Sequence, residues 1–316
     1  MLIGAIKNEL EKLYYKKRIH VVSSIVIFFA ILMMTISYFD HSDIQTSNWR
    51  DPLEKQVQEI NINLQNIKNK DSDEYKNLIN QRSKLNFYLK ENINPELPGA
   101  VGAATESTSG MFIKIILPIL IVILAADVIT NESANGTLKS LLVSPIGRKN
   151  ILISKWIAVS LISITTMLFS DVLTYLTSIP FDGIGNWGDH VVIGVETFKS
   201  IPAWEYMLVG LVLNSFVIVT LVSVCILISV LFKTVTTSLS LSMAIVIFGS
   251  LLANFQAKID ALKYLFVLNF DLLSYLTGES IIQNSSLFVA TVSMLLTALF
   301  TLYVSLVIFT KKDMLI

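Results

Sequence analysis

The chain has 316 residues, of which 53% are apolar and only 15% are charged, and its mean hydropathy is +0.65. These values lie well outside the range of soluble globular domains and exclude an ordinary soluble protein. The formal net charge is zero, and a single cysteine, Cys225, excludes an intramolecular disulfide.

The N-terminal residues, 1–19, have the pattern of an amphipathic helix. Apolar side chains such as Ile6 and Leu10 recur among Lys and Glu, which predicts a helix lying on the inner membrane surface. Residues 20–38 follow as an apolar stretch long enough to cross a bilayer. Because no small-residue cleavage site ends this stretch, we predict a retained first span rather than a signal peptide.

Residues 39–110 are the most polar part of the chain and are predicted to form an extracellular helical hairpin with a linker. Leu53, Val57 and Ile60 begin one pattern at helical spacing, and a second pattern follows a break near Asp71. Such a hairpin buries too little to be a catalytic domain. Gating, partner contact, substrate capture and a simple spacer role all stay open for it.

The remaining residues, 111–316, are predicted to form a five-span bundle. Five apolar stretches there approach or exceed the roughly 20 residues that a membrane helix needs, and they lack the alternation of barrel strands. The predicted fold is therefore an all-α membrane protein with six transmembrane helices, an N-terminal amphipathic helix and an extracellular helical hairpin. The five stretches are residues 111–129, 152–179, 206–232, 234–255 and 285–310.

Basic residues are concentrated on one predicted side of the membrane. They precede the first span and follow the second, fourth and sixth, as the positive-inside rule expects of cytoplasmic segments, whereas a segment as long as 39–110 translocates largely regardless of charge. We therefore predict a multi-pass protein of the cell membrane with both termini cytoplasmic, and the Lys- and Asn-rich composition favours a bacterial source. The basic residues are Lys7, Lys12, Lys16, Lys17, Arg18, Lys139, Arg148, Lys149, Lys233, Lys311 and Lys312.

A short amphipathic segment, residues 132–150, lies between the second and third spans. As a helix it would place three leucines on one face, with a glycine and a proline marking its ends. A membrane protein has little reason to keep such a helix unless a partner docks on it; the alternative is a helix lying on lipid headgroups. The leucines are Leu138, Leu141 and Leu142, and the end residues are Gly136 and Pro145.

Motifs for catalysis, nucleotide binding and metal binding are missing from the sequence. It contains no complete Walker motif, no Cys/His cluster and no nucleophile with a base. We therefore expect no enzymatic activity, no metal and no cofactor in this chain itself.

Ionisable residues inside the predicted spans are few. Lys114, Asp127 and Lys155 lie close to span ends, where snorkelling to the interface explains them, and Asp171 is the best candidate for lining a cavity. Spans one, four, five and six have no central charge, which disfavours a carrier driven by protons or sodium. The energy must then come from another protein.

The segment after the second span resembles the permease subunits of type-2 ABC exporters. In that family an acidic residue ends the second span, a Gly-Thr pair opens the coupling helix, and a leucine pair, a proline and an arginine follow. The resemblance includes a broken, re-entrant-like stretch, here residues 256–278, in which Phe266, Phe270 and Leu272 would face the membrane. The matching residues are Glu132, Gly136, Thr137, Leu138, Lys139, Leu142, Pro145 and Arg148.

The resemblance implies a dimer with a second permease copy or a paralogue, seated on separate ABC ATP-binding subunits that bind ATP and Mg²⁺. The leucines of the coupling helix would fill a groove of that subunit, and charges at its rim would set the register. Membrane lipid is a further expected partner, and nucleic acid is not. The leucines are Leu138, Leu141 and Leu142, and the rim charges are Glu132, Lys139 and Arg148.

The predicted function is the transmembrane subunit of an ATP-driven exporter. The mostly apolar bundle favours a hydrophobic or amphipathic cargo, and an antimicrobial peptide or drug, with a role in antibiotic resistance, is the preferred interpretation. The alternative is a membrane sensor or scaffold that binds a cytoplasmic partner through the 132–150 loop. A permease must affect ATP hydrolysis by its partner, whereas a sensor need not.

Overall fold

The computed structural model describes residues 2–41, 49–67, 73–137, 147–195, 197–252, 264–278 and 285–311. These residues are mostly helical, with one small antiparallel sheet. The elements in chain order are helices α1 (Leu2–Tyr15), α2 (Arg18–His41), α3 (Arg50–Asn66), α4 (Asp73–Glu91) and α5 (Ala100–Ser109), a π-helical turn (Phe112–Ile116), α6 (Leu117–Ala125), α7 (Thr130–Ala134), α8 (Arg148–Asp182), strands β1 (His190–Ile193) and β2 (Lys199–Pro202), α9 (Ala203–Leu231), α10 (Val235–Leu252), a 3₁₀ turn (Phe266–Leu268), α11 (Ser274–Thr277) and α12 (Leu287–Lys311).

Five helical segments are long and apolar enough to cross a membrane, which confirms the predicted class of all-α membrane protein. They are the first part of α2, the run from Ala100 to Ala134, and the whole of α8, α9 and α12. Helix α10 is also apolar but shorter. It coincides with the predicted span 234–255, so the count of six spans stays a prediction.

Helix α9 lies at the centre of the bundle. It packs against α8, α12 and the run from α5 to α6, and these contacts bury large aliphatic side chains such as Leu120, Leu221 and Ile226. Helices α2 and α12 lie at the periphery, where only 17% and 33% of their most apolar windows are buried. Their exposed faces carry Ile, Leu and Phe, side chains that lipid accepts more readily than water does.

The second membrane-spanning segment begins at Ala100, before the predicted start at Met111. Gly99 has a positive φ of 75° and lies so close to Gly185 that a Cβ would meet its backbone at 2.6 Å. The next N–H, of Ala100, donates to the carbonyl of Gly183 at 2.9 Å. The chain therefore turns into the helix against the end of α8, through a tertiary contact that hydropathy does not report.

Helices α3 and α4 form an antiparallel pair within the polar segment 39–110. They pack against each other, and Arg50 at the start of α3 donates to Asn92, just beyond the end of α4, at 2.5 Å. Phe87 of α4 contacts Phe198, with ring centroids 6.1 Å apart. The pair thus contacts the α8–α9 connection, and the end of the bundle at which this connection lies is called the hairpin end. The side of the membrane that this end faces stays a prediction.

The prediction that Phe270 and Leu272 face the membrane was wrong. The side chain of Leu272 is fully buried and that of Phe270 nearly so, while Phe266 packs against the core. The described part of this stretch, residues 264–278, consists of short turns that contact α10 and α12. Irregular backbone at membrane depth is tolerated only where protein covers it, so its apolar side chains turn inward. Residues 256–263 lie outside the described residues.

Candidate functional site

The second membrane-spanning segment is interrupted just before the predicted coupling segment. Helix α6 ends at Ala125, and the chain makes turns through residues 126–129 before α7 begins. The hydroxyl of Ser229 on α9 accepts hydrogen bonds from the N–H groups of Ile129 and Thr130 at 3.0 and 3.1 Å. Because buried backbone N–H groups need partners, this hydroxyl makes the interruption possible inside the bundle.

A second hydroxyl holds the other side of the interruption. Ser238 of α10 donates to the carbonyl of Ala126. Both serines are buried, and each comes from a different helix. The break in the second segment is therefore tied to α9 on one side and to α10 on the other.

Lys155 lies at the centre of a buried ion network. Its side chain is 0% exposed, and its Nζ lies 2.8 Å from Oε2 of Glu9 and 2.7 Å from Oε1 of Glu132. Lys12 contacts the same two carboxylates, at 2.7 and 3.1 Å. These four residues, called the ion network below, join α1, α7 and α8, which are far apart in the sequence.

The ion network is neutral, with two ammonium groups facing two carboxylates. A buried charge is tolerated only when it is paired and hydrogen-bonded, so each of the four groups depends on the others. Oε2 of Glu132 has no hydrogen-bond partner among the described residues. This carboxylate is therefore held through Oε1 alone, by Lys12 and Lys155.

The pKa values of the two α1 residues reflect this pairing. Burial acts to raise the pKa of Glu9, but the attraction of Lys155 and the hydrogen bonds from Lys12 and Lys155 outweigh it, and the pKa lies below its ordinary value. Burial likewise acts to lower the pKa of Lys12, but Glu9 and Glu132 outweigh it and the pKa is raised. Both residues are therefore charged at neutral pH.

A second ion pair joins α2 to the helix interruption. The two terminal nitrogens of Arg18 donate to the two carboxylate oxygens of Asp127, the forked geometry that makes arginine–carboxylate pairs strong. Asp127 is buried and lies within the 126–129 turns. The interruption is thus fixed to the N-terminal end of the first span as well as to α9 and α10.

The residues that follow Glu132 form an exposed surface. Ser133, Ala134, Asn135, Gly136 and Thr137 are all exposed, although Glu132 next to them is buried. Gly136 has a positive φ of 71°, the conformation that commonly ends a helix. The exposed surface 133–137 therefore directly follows a buried residue of the ion network.

The structure places Glu132 and Arg148 away from the rim positions expected of them. Glu132 is 5% exposed and paired inside the protein, because its carboxylate neutralises a buried lysine. Arg148 is half-buried and donates to the carbonyl of Thr310 near the end of α12, at 3.2 Å. Gly136 and Thr137 lie on the exposed surface, and their docking role stays a prediction. The other predicted docking residues, Leu138, Lys139, Leu141, Leu142 and Pro145, lie outside the described residues.

Asp171 is buried between α8 and α5. Its side chain accepts a hydrogen bond from Ser107 at 3.1 Å, and 7% of the residue is exposed. The cavity-lining role predicted for Asp171 stays a prediction.

The sequence analysis identified Asp127 and Lys155 but did not predict the residues that pair with them. Asp127 and Lys155 were explained by snorkelling, whereas each is buried in an ion pair with a residue distant in sequence. The sequence did contain a signal. Glu9 and Arg18, in α1 and at the start of the first span, are opposite in sign to Lys155 and Asp127, which lie near ends of the third and second spans. Pairing these segments would have required the tertiary arrangement.

The fold and the paired charges together define a multi-pass helical membrane protein in which an exposed surface, residues 133–137, directly follows the buried Glu132. The sequence profile of the family described as ABC-2 family transporter protein matches residues 5–314, so the chain belongs to that family. Members of the family are membrane components of ABC transporters. It is 24% identical over 273 residues to the uncharacterised protein YhcI of Bacillus subtilis strain 168, covering 84% of this chain and 85% of YhcI. It is also 28% identical over 119 residues to the ABC transporter permease protein NatB of the same organism, covering 34% of this chain and 31% of NatB.

Proposed function

We propose that this chain is the permease subunit of an ATP-driven exporter and that a separate ATP-binding subunit docks on residues 132–150. Members of the family normally work with such a subunit. The observation that carries the proposal is the exposed surface 133–137, which directly follows Glu132 of the ion network. The chain therefore offers a contact surface whose movement reaches the spans.

The ion network gives the proposed movement a physical path. A displacement of the exposed surface moves Glu132, and Glu132 is held by Lys155 of α8 and Lys12 of α1. Separating buried opposite charges costs several kcal/mol, so α1, α7 and α8 move together. A movement of the docked ATP-binding subunit is thus transmitted to α1, α7 and α8 as a rigid-body shift.

The helix interruption supplies the second path, toward the centre of the bundle. The hydroxyl of Ser229 links the N–H groups of Ile129 and Thr130 to α9. Helix α9 packs against α8, α12 and the second segment. A shift of α7 therefore reaches the helix that contacts most of the other spans.

The proposed assembly has two permeases, copies or paralogues, and two ATP-binding subunits that bind ATP and Mg²⁺. The positive-inside rule supports cytoplasmic termini in the cell membrane of a bacterium, which places the exposed surface 133–137 on the side where ATP is found. Exposed Ile3, Tyr14 and Tyr15 on α1 support contact with lipid at the inner membrane surface.

The proposed cargo is a hydrophobic or amphipathic compound moved outward, with an antimicrobial peptide or drug as the preferred case. The family resemblance supports the direction, and the mostly apolar bundle supports the cargo class. Resistance to such a compound is the expected consequence for the cell.

The docking proposal is tested by changing one leucine of the coupling segment. Leu141→Asp places a charge at the centre of the predicted apolar anchor, so we expect loss of co-purification with an ABC ATP-binding subunit co-expressed from the same genome. Ile184→Asp is the matched control, because Ile184 is an exposed apolar residue at the hairpin end and its change should leave co-purification intact.

The same variants distinguish a permease from a scaffold. A permease must change the rate of ATP hydrolysis by its partner, so Leu141→Asp should also abolish that change in proteoliposomes. Binding without any effect of the wild-type chain on hydrolysis would favour a sensor or scaffold. Unchanged binding of Leu141→Asp in detergent would contradict docking through the coupling segment.

A further inference from the structure

The elbow between α1 and α2 carries positive charges that are not neutralised within the described structure. Helix α1 ends at Tyr15 and α2 begins at Arg18, so residues 16 and 17 form the whole connection. Arg18 donates to Asp127, whereas neither Lys16 nor Lys17 forms an ion pair with a residue that the structure describes. Both lysines are exposed. Two unpaired ammonium groups therefore lie at the elbow.

Lys17 has a backbone conformation that is unfavourable for a lysine. Its φ is 57°, in the left-handed region, where glycine is relaxed and a residue with a Cβ is strained. Its N–H donates to the carbonyl of Tyr14 at 3.0 Å, and its carbonyl accepts from the N–H of Val21 at 3.1 Å. The same residue thus ends one helix and begins the next. Because glycine would make this turn with less strain, the lysine points to a use for its side chain.

An open groove extends from the elbow along one face of α2. Its volume is about 420 Å³, and its polar side chains are concentrated at the elbow end. The ring of His20 packs against the ring of Tyr14 on α1, with centroids 5.1 Å apart, so this end of the groove lies against α1. The lining residues are Lys17, His20, Val21, Ser24, Ile25 and Phe28.

The groove begins at the end of a membrane span. The apolar window of α2 runs from Arg18 to Thr35 and is mostly exposed, and Lys17 immediately precedes it. Val21 and Phe28 lie within this window, seven positions apart, which is about 10 Å of helix axis. Half of a bilayer core is about 15 Å thick. The groove therefore combines a basic end at the start of the span with an apolar part short enough to lie within one leaflet.

We propose that this groove binds an anionic phospholipid, with the phosphate group at Lys16, Lys17 and His20 and an acyl chain along Val21 and Phe28. Basic side chains next to a span attract anionic headgroups, and the apolar part of the groove suits the chain of a lipid rather than a free phosphate. A second copy of the protein seated here would have to supply carboxylates for both lysines, since buried charges need partners. The proposal depends on the membrane-spanning class of the chain and not on the proposed transport function.

The proposal is tested by tryptophan quenching of the whole chain in proteoliposomes. Phe28→Trp places a fluorophore in the apolar part of the groove, and the signal of the wild-type chain is subtracted. The vesicles contain equal amounts of phosphatidylglycerol and phosphatidylcholine, and only one of the two lipids carries bromine on its acyl chains. Because each lysine near an anionic lipid contributes roughly a fivefold attraction, quenching should indicate at least about a threefold preference for phosphatidylglycerol.

Charge variants in the Phe28→Trp background locate the preference. Lys16→Gln combined with Lys17→Gln should abolish it. The matched control is Lys7→Gln, because Lys7 is an exposed lysine of α1 outside the groove, and its change should leave the preference intact. An equal loss in the control and in the double variant would overturn a defined site and indicate general attraction to the membrane surface. Equal quenching by the two lipids would overturn the anionic preference, and quenching by neither would place protein over the groove.

Lys17→Gly separates lipid binding from folding. This change removes the ammonium group and also relieves the left-handed strain at residue 17. The thermal unfolding temperature in detergent without added lipid should therefore stay the same or rise, while the preference for phosphatidylglycerol falls. A lower unfolding temperature, or an unchanged lipid preference, would overturn the role of Lys17 in the site.

Discussion

Lys155 is the residue on which the ion network depends most. It is fully buried and contacts both Glu9 and Glu132. Lys155→Met removes one ammonium group and leaves buried negative charge without compensation, which costs about 3–5 kcal/mol. We therefore expect a markedly lower thermal unfolding temperature in detergent, whereas Lys7→Met, at an exposed position, should have little effect.

A double variant tests whether charge balance is the cause. In Lys155→Met with Glu132→Gln, one positive and one negative charge are removed together, and Glu9 keeps its contact with Lys12. Part of the lost stability should return. Equal instability of the single and double variants would instead assign the loss to packing around Lys155.

Glu9 makes the contribution of the network depend on pH. Its folded-state pKa lies below the ordinary 4.5, so its stabilisation is present above 4.5 and is lost as the pH falls through the folded value. We expect the difference in unfolding temperature between wild type and Glu9→Gln to stay constant from about pH 9 to pH 5 and to shrink below 4.5. A difference that already disappears near pH 7 would contradict this assignment.

At the scale of elements, the hydroxyl of Ser229 is one of the groups that hold the interruption between α6 and α7. Ser229→Ala leaves the N–H groups of Ile129 and Thr130 buried without their acceptor, at a cost of about 2 kcal/mol. We expect reduced thermal stability and weaker stimulation of ATP hydrolysis. The matched control is Ser215→Ala on the same helix, since the hydroxyl of Ser215 donates to the carbonyl of Leu211 within α9.

The loss of thermal stability and the loss of stimulated ATP hydrolysis are compared for Ser229→Ala and for Ser215→Ala. If Ser229→Ala lowers stability but leaves stimulation of ATP hydrolysis unchanged, the interruption is structural and carries no movement to α9. If Ser215→Ala is equally damaging, the effect belongs to helix α9 in general rather than to the interruption.

Hydrophobic periodicity predicted the helices better than their junctions. Long apolar runs such as 152–179 carry their own signal, and α8 contains that run. The start of the second segment at Ala100 depends on the close approach of Gly99 and Gly185, which no local pattern reveals. The inward turn of Leu272 likewise reflects cover by neighbouring helices rather than local composition.

At the scale of the whole molecule, charges near the ends of different segments specify how those segments meet. Arg18 pairs with Asp127, and the ion network joins α1 to α7 and α8. The sequence contained both signs of charge, but the pairing required three-dimensional proximity. The N-terminal helix, predicted only as a surface helix, is for this reason joined to the bundle through Glu132, which directly precedes the exposed surface 133–137.

The central claim, that an ATP-binding subunit contacts this surface, is tested most directly by site-specific photo-crosslinking. A benzoylphenylalanine at exposed Thr137 should form a covalent adduct with the co-expressed ATP-binding subunit in membranes, and the same probe at Ile184, at the hairpin end, should not. Such an adduct at Thr137 alone is the predicted result. Adduct formation at Ile184, or none at Thr137 while the two subunits still co-purify, would contradict it.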